Sequence, residues 1–217
     1  MPTPSNARSM VTMVTARTAS SHLLPTSAHF EQPWRIHAIA PDFTVEDVWA
    51  LPTPGGPDDF ARLVKLNAGF DSHENPSFIV QAMFRIRWKL GAILGWDGAG
   101  DGVGNRVRSL RDRLPEDLSN GPRGPETPNA PFSPVYLTHN EFVDEYANKT
   151  VHLLSHHSWV VMPDGSYRGQ MAILVKPNGR FGKLYLAAIK PFRAWLVYPA
   201  FMRQMAKDWK RLQDERP

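Results

Sequence analysis

Three groups of residues have types and spacings that could do chemistry. The first is His139, His152, His156 and His157. Imidazole is the commonest metal ligand, but His152 and His156 lie four positions apart in a segment with strand-like alternation. That spacing separates them by about 13 Å on a strand, too far to share one ion. They read as hydrogen-bonded strand histidines, and no metal site is assigned. The second group is Glu141, Asp144 and Glu145. A buried carboxyl with a raised pKa can serve as a general acid or base. Alternation puts Glu141 and Glu145 on the face of Val143, expected to look towards a cavity, although carboxylates on an edge strand also serve solubility alone. The third group is Trp88, Trp159, Tyr167, Met171, Phe192 and Trp195, with His157 and Arg85 as polar members. This is the make-up of an apolar ligand pocket with a few orienting groups, or of an aromatic core.

A fourth stretch, GWDGAGDGVGN from Gly95 to Asn105, invites a nucleotide reading. A phosphate cradle needs its glycines before a helix, at the positive end of the dipole. Here they follow a predicted helix that starts at Asn75-Pro76-Ser77 and runs to about Leu94, with Phe78, Ala82, Ile86 and Leu90 in one stripe. The glycines match neither the dinucleotide pattern nor the P-loop. A helix opening at Asn105 is the one arrangement that would turn a dipole towards them. Asp97 and Asp101 lack the regular oxygens and terminal glutamate of a calcium loop. Helix termination and a hinge remain, and no cofactor is assigned.

The elements around these groups are bounded by composition. The chain has 217 residues, of which 42% are hydrophobic, enough for one sizeable core. It contains no cysteine, so disulfides and thiolate metal sites are excluded. Arg85, Arg87 and Lys89 interrupt the longest apolar candidate for a membrane span. Residues 1–32, rich in Ser, Thr, Ala and Pro, read as a disordered leader, and residues 33–213 as a single domain.

Within that domain, Trp34–Ala40 alternates like a short strand, and Thr44 with Glu46 and Asp47 caps a short helix through Leu51. Pro52–Pro57 reads as a turn, and Asp58–Leu66 as a helix. Pro115–Pro134 is a long connection. The period then becomes two, and Pro134–Tyr146, Thr150–Val161 and Tyr167–Val175 form an antiparallel meander. In the second strand Val151, Leu153, His157, Trp159 and Val161 share a face, opposite His152, His156 and Ser158. A helix from Phe181 to about Leu212 closes the domain, interrupted at Pro191 and Pro199. From Lys176 to Arg211 there are nine basic residues and one acid, Asp208, a balance of +8; the whole chain is +4, leaving −4 elsewhere.

On Pro52–Phe60 (PTPGGPDDF), Phe84–Trp96 (FRIRWKLGAILGW), Ser109–Pro115 (SLRDRLP) and Ile189–Arg193 (IKPFR), the chain resembles a bacterial family known as domain of unknown function 2867. The order of elements is similar to the START and pollen-allergen-like (SRPBCC) superfamily. That resemblance implies an α+β helix-grip fold, with an antiparallel sheet wrapped around a long C-terminal helix and a cavity between them. It also implies a hydrophobic small molecule or lipid as ligand, held by Arg85, Trp88, His157, Trp159, Tyr167, Met171, Phe192 and Trp195. The alternative is an enzyme of specialised or lipid metabolism that uses a carboxylate or histidine of that cavity as acid or base. The expected location is cytoplasmic. The basic C-terminal helix offers peripheral contact with an anionic membrane, whereas nucleic acid is disfavoured because no reader motif accompanies the charge.

Overall fold

The computed structural model describes residues 22–69, 102–127 and 131–215. Arg85, Trp88, the predicted helix after Asn75 and Gly95–Asp101 lie outside the described residues.

The domain is α+β, with one six-stranded antiparallel sheet and a C-terminal helical unit, consistent with the helix-grip architecture. Its strands are β1 (Leu23–Leu24), β2 (Thr44–Gly55), β3 (Ser133–Leu137), β4 (Glu141–Ala147), β5 (Val151–Val161) and β6 (Tyr167–Pro177). They lie in the order β1-β2-β6-β5-β4-β3. The meander is therefore as expected, except that the first predicted strand is a hairpin. Thr138 turns the chain there, its Oγ1 accepting from the Asn140 and Glu141 N–H groups. The next hairpin closes on Asn148, whose Oδ1 accepts from Thr150 and Val151. The last uses Gly165 at φ +81°, a left-handed position that favours glycine.

Two predicted elements exchange type. Trp34–Ala40 contains a short helix, α2 (Ile36–Ile39), preceded by α1 (Ser27–Phe30). Ile36 and Ile39 are both buried, a three-residue spacing that suits a helical turn and not a strand. Thr44–Leu51 is strand, not helix: the β-branched Thr44, Val45 and Val48 suit the pleat. Its acids, read as helix-capping residues, instead meet the C-terminal unit, where Arg193 bonds Asp47 at 2.7 Å and Lys190 reaches Glu46. Nor is Pro52–Pro57 simply a turn, because β2 runs on to Gly55 across a register shift between Ala50 and Pro54. β1 pairs only with Val48 and Trp49, so the proline-bearing part of β2 is an edge on that side, where a missing donor is tolerated. The described part of the expected leader, residues 22–32, supplies β1 and α1.

Each face of the sheet carries its own core. On one, α3 (Phe60–Ala68) and the C-terminal unit pack Leu63, Val64, Leu186, Met202, Met205 and Trp209 against Trp49, Phe142, Trp159, Met171, Ile173 and Val175. Burying each large side chain contributes roughly 2 kcal/mol. The unit consists of α5 (Gly179–Phe192), a π-helical turn at Arg193–Val197 and α6 (Tyr198–Asp214). Pro191 and Pro199 bracket that turn, in keeping with the predicted interruptions. The Trp209 and Trp159 indole N–H groups donate to the Pro54 and Gly56 carbonyls, fixing the helix across the end of β2. On the other face, α1, α2, a 3-10 turn at Leu110–Arg113 and α4 (Glu116–Ser119) cover Val143, Leu154, Ala172 and Leu174.

Candidate functional site

β4 and β5 carry most of the chemistry, and their register sorts it between the two faces. Glu141 lies opposite Ser158, Val143 opposite His156 and Glu145 opposite Leu154, which makes Glu141–His156 and Glu145–His152 diagonal neighbours on one face. Asp144 lies opposite Ser155 and Phe142 opposite His157, on the face that looks towards α3 and the C-terminal unit.

The face away from the C-terminal unit holds a fully partnered row. Glu141 Oε2 accepts from Tyr136 at 3.0 Å and lies 3.1 Å from His156 Nε2, while Oε1 accepts the Arg35 N–H at 3.0 Å. Burial opposes ionisation of Glu141, but the His156, Arg35 and Tyr136 bonds outweigh it and hold the carboxyl below its ordinary value. An ionised Glu141 only accepts, so His156 donates to it from Nε2. His29 Nε2 lies 2.9 Å from His156 Nδ1, and His37 Nε2 lies 3.0 Å from His29 Nδ1, which extends the row to α1 and α2. His29 is fully buried, and burial, followed by the charges of His156 and His37, pushes its pKa down to about 3. Glu145 repeats the device: it accepts from Ser109, from the Leu110 N–H at 3.0 Å and from His152 at 2.9 Å. The layer on this face is mostly irregular, and its backbone donors find acceptors in strand carboxylates. These residues act as anchors.

The face towards the C-terminal unit is different. Asp144 is buried, with Oδ2 3.4 Å from Asn67 Nδ2, and lies opposite Ser155 in the strand register. Ser155 Oγ in turn lies 2.8 Å from His157 Nε2. Asp144 Oδ1 and His157 Nδ1 have no partner. Burial pushes the Asp144 pKa up to about 7 and the His157 pKa down to about 3, so both favour their neutral forms. Phe142 stacks on the His157 ring at 6.0 Å and 29°. Other buried polar atoms lack partners, the Trp34 and Trp49 indole nitrogens among them, but here two such atoms belong to diagonal neighbours on β4 and β5. Asn67 also lines a cleft of about 180 Å³ between α3 and α6, with Leu66, Phe201, Met205, Asp208 and Arg211. Among the described residues no group of three or more histidines and carboxylates is placed to hold a metal.

The predicted ligand-binding set is only partly brought together. His157, Trp159 and Met171 are buried on the face towards the C-terminal unit, with Tyr167 half-buried beside them and stacked on Trp159 at 6.5 Å. Trp195 is not with them, since its side chain is 80% exposed on the outside of the π-helical turn. The Phe192 side chain, like Arg85 and Trp88, lies outside the described residues. The carboxylate expectation is corrected: Glu141 and Glu145 do share the face of Val143, but the C-terminal helices cover the opposite one, so the acid on the helix side is Asp144. His139 stands exposed in the β3–β4 turn. The reading missed Ser155 and Asn67, which only strand register and tertiary packing bring to Asp144.

No curated protein and no solved structure matches the chain. The family model for a protein of unknown function (DUF2867) matches residues 39–200. That span includes β2 to β6, both polar rows except His29, Arg35 and His37, and all of α5. The chain belongs to this family of proteins of unknown function, DUF2867.

Proposed function

We propose that the domain binds a hydrophobic small molecule or lipid between the sheet and the C-terminal helices, with the ligand's polar end at Asp144 and His157. The observation that supports this is the pair of unpartnered buried atoms, Asp144 Oδ1 and His157 Nδ1, on an otherwise largely apolar face. Leaving such an atom unsatisfied costs about 1–3 kcal/mol. A purely structural core has no use for that cost, whereas a binding site retains it because the ligand supplies the partner. The cleft at Asn67 is the approach. Its volume of about 180 Å³ is below the roughly 300 Å³ of drug-sized sites, so a lipid would have to part α3 from α6. Native mass spectrometry of gently purified protein, followed by denaturing extraction, tests the reading. A stoichiometric apolar molecule is expected, lost in Asp144→Asn and His157→Ala. An empty protein that no apolar carbonyl or hydroxyl compound stabilises would overturn it.

One observation favours the enzyme as a second reading. A carboxyl that titrates near neutrality is suited to general acid–base work at cellular pH. Turnover of the extracted molecule, abolished by Asp144→Asn, would separate an enzyme from a carrier.

Peripheral contact with an anionic membrane belongs to the same proposal. Leu184, Ala187, Ala188, Pro191 and Trp195 follow helical spacing and are all exposed, Leu184 at 69%. On α6, Arg203, Lys207 and Lys210 are exposed and have no carboxylate partner among the described residues. Both helices pack on the same sheet face, so these outward surfaces look away from it together. Apolar residues beside unpaired cations are the pattern of an interfacial helix. Vesicles containing phosphatidylserine should pellet the protein, phosphatidylcholine vesicles should not, and Trp195→Ala should weaken the effect. Pelleting that ignores both changes would remove membrane contact from the account.

A further inference from the structure

Residues 22–33, which carry β1 and α1, cross the anchored face with a single buried side chain among them, His29. Leu23, Phe30 and Glu31 are exposed, and β1 meets β2 over only two residue pairs. Hydrophobic burial therefore does little to hold this strap down. Its plug is an imidazole. His29 Nδ1 lies 3.0 Å from His37 Nε2 and His29 Nε2 lies 2.9 Å from His156 Nδ1, so both ring nitrogens face another imidazole nitrogen. A contact of that kind holds one proton, because one of the two atoms must accept. Three rings have six nitrogens, and four of these form the two contacts, so the closed row carries at most four protons. Three neutral rings already bring three, and a charge on His29 would be fully buried. Separated rings carry two protons each in acid. Releasing the strap takes up protons, and linkage makes acid the releasing agent.

We propose that residues 22–33 form an acid-released strap: protonation withdraws His29 from between His37 and His156, opens the His156 end of the row to water and leaves the Val48–Trp49 edge of β2 unpaired. Burial, followed by the charges of His156 and His37, holds the His29 pKa near 3 in the closed state against 6.5 when free. The closed strap is thus fully favoured above about pH 6.5. Below that value each pH unit shifts the balance towards release about tenfold for every proton taken up, until the closed-state pKa is reached.

The groups around His29 leave the rest of the face in place when it departs. α2 brings His37, whose pKa is lowered by burial and then by His156, and Phe30 stacks on that ring at 5.2 Å and 26°. Trp34 meets the His156 ring edge-on at 5.5 Å, and β6 places Ala172 opposite His156. β4 supplies the carboxylate, Glu141, bound to His156, to Tyr136 of β3 and to the Arg35 N–H. The Arg35 side chain pairs with Asp117 of α4 at 2.8 Å. None of these partners of Glu141 belongs to the strap. At the start of the strap, His22 Nδ1 donates to the Ala50 carbonyl at 3.0 Å, a bond that protonation of His22 does not break. His29 is therefore the titrating group on which docking depends.

The chain has no cysteine, so Thr26→Cys, at an exposed position on the strap, takes a single spin label. Electron paramagnetic resonance should show a fixed label at about pH 7.5 and a mobile one at about pH 4.5, on either side of imidazole titration. The circular dichroism of the sheet should stay constant over that range. His29→Gln, which occupies the site without titrating, should keep the label fixed at both values. A label that stays fixed until circular dichroism reports unfolding, or an acid release that persists in His29→Gln, would overturn the proposal. If His29→Gln frees the label at every pH, histidine NMR of the otherwise unchanged labelled protein decides. The His29 ring should then gain its proton over the same pH range in which the label is freed, and release in a different range from that titration overturns the strap.

Discussion

Two buried polar rows lie back to back across the same pair of strands, and they differ in how completely they are satisfied. On one face Glu141 takes three donors and Glu145 another three, from every layer that covers them. On the other, Asp144 bonds only Asn67 and His157 bonds only Ser155, and each keeps one open atom. A saturated network rigidifies the fold and is costly to disturb. An unsaturated one lowers stability, and function is the usual reason to keep it. The difference separates an anchor from a site, although both consist of strand carboxylates and histidines one or two residues apart.

The comparison is broken most forcefully from the anchored side. Glu141→Gln keeps one acceptor oxygen but sets its amide N–H2 either against the Arg35 N–H or against Tyr136 and His156. A loss of about 3 kcal/mol in urea unfolding is expected. A loss below about 1 kcal/mol would mean that the row is not the clamp described here.

pH sharpens it next, because Asp144 leans the opposite way from the buried histidines. His29, held near 3 when folded against 6.5 for the free group, favours the neutral form. Its contribution is complete above about pH 6.5 and is lost as pH falls towards 3, since the unfolded chain binds the extra proton. Asp144, raised from 3.8 to about 7, contributes below about pH 4 and loses that contribution as pH rises to 7. Thermal melts across this range should therefore decline on both sides of an optimum. Asp144→Asn should flatten the alkaline side only, and a change confined to the acid side would contradict the assignment.

The smallest effect is expected at the exposed stripe. Trp195→Ala should change unfolding free energy by less than about 0.5 kcal/mol, the range for surface substitutions, while still weakening vesicle binding. A larger loss of stability would show that the indole packs against the domain.

Much of this was legible along the chain, but unevenly. Alternation in Val151–Val161 sorted His152 and His156 from His157 and Trp159 correctly, because a strand's period of two is independent of what covers it. Glutamates at 141 and 145 and histidines at 152 and 156, each four apart on neighbouring strands, already specify two diagonal pairs once the Asn148 turn fixes the register. What alternation does not carry is which face meets which layer. The covering segments at residues 22–43 and 102–127 are largely irregular, with no period to show that they bury anything, so the Glu141 face looked available for a cavity. Thr44–Leu51 misled for a related reason: Glu46 and Asp47 fit a helix cap locally, and only Lys190 and Arg193, distant in sequence, explain them on a strand. Pro191 and Pro199, whose effect on a helix is local, marked the π-helical turn without tertiary information.

Urea unfolding of Glu141→Gln and Asp144→Asn, side by side at about pH 8, bears most directly on the division between anchor and site. Above the Asp144 titration, at about pH 7, the wild-type domain buries a carboxylate there that asparagine does not. The account predicts that Glu141→Gln loses about 3 kcal/mol while Asp144→Asn is unchanged or gains about 1–2 kcal/mol. Equal losses in the two variants would contradict it, placing Asp144 among the anchors and leaving that face of the sheet without a site.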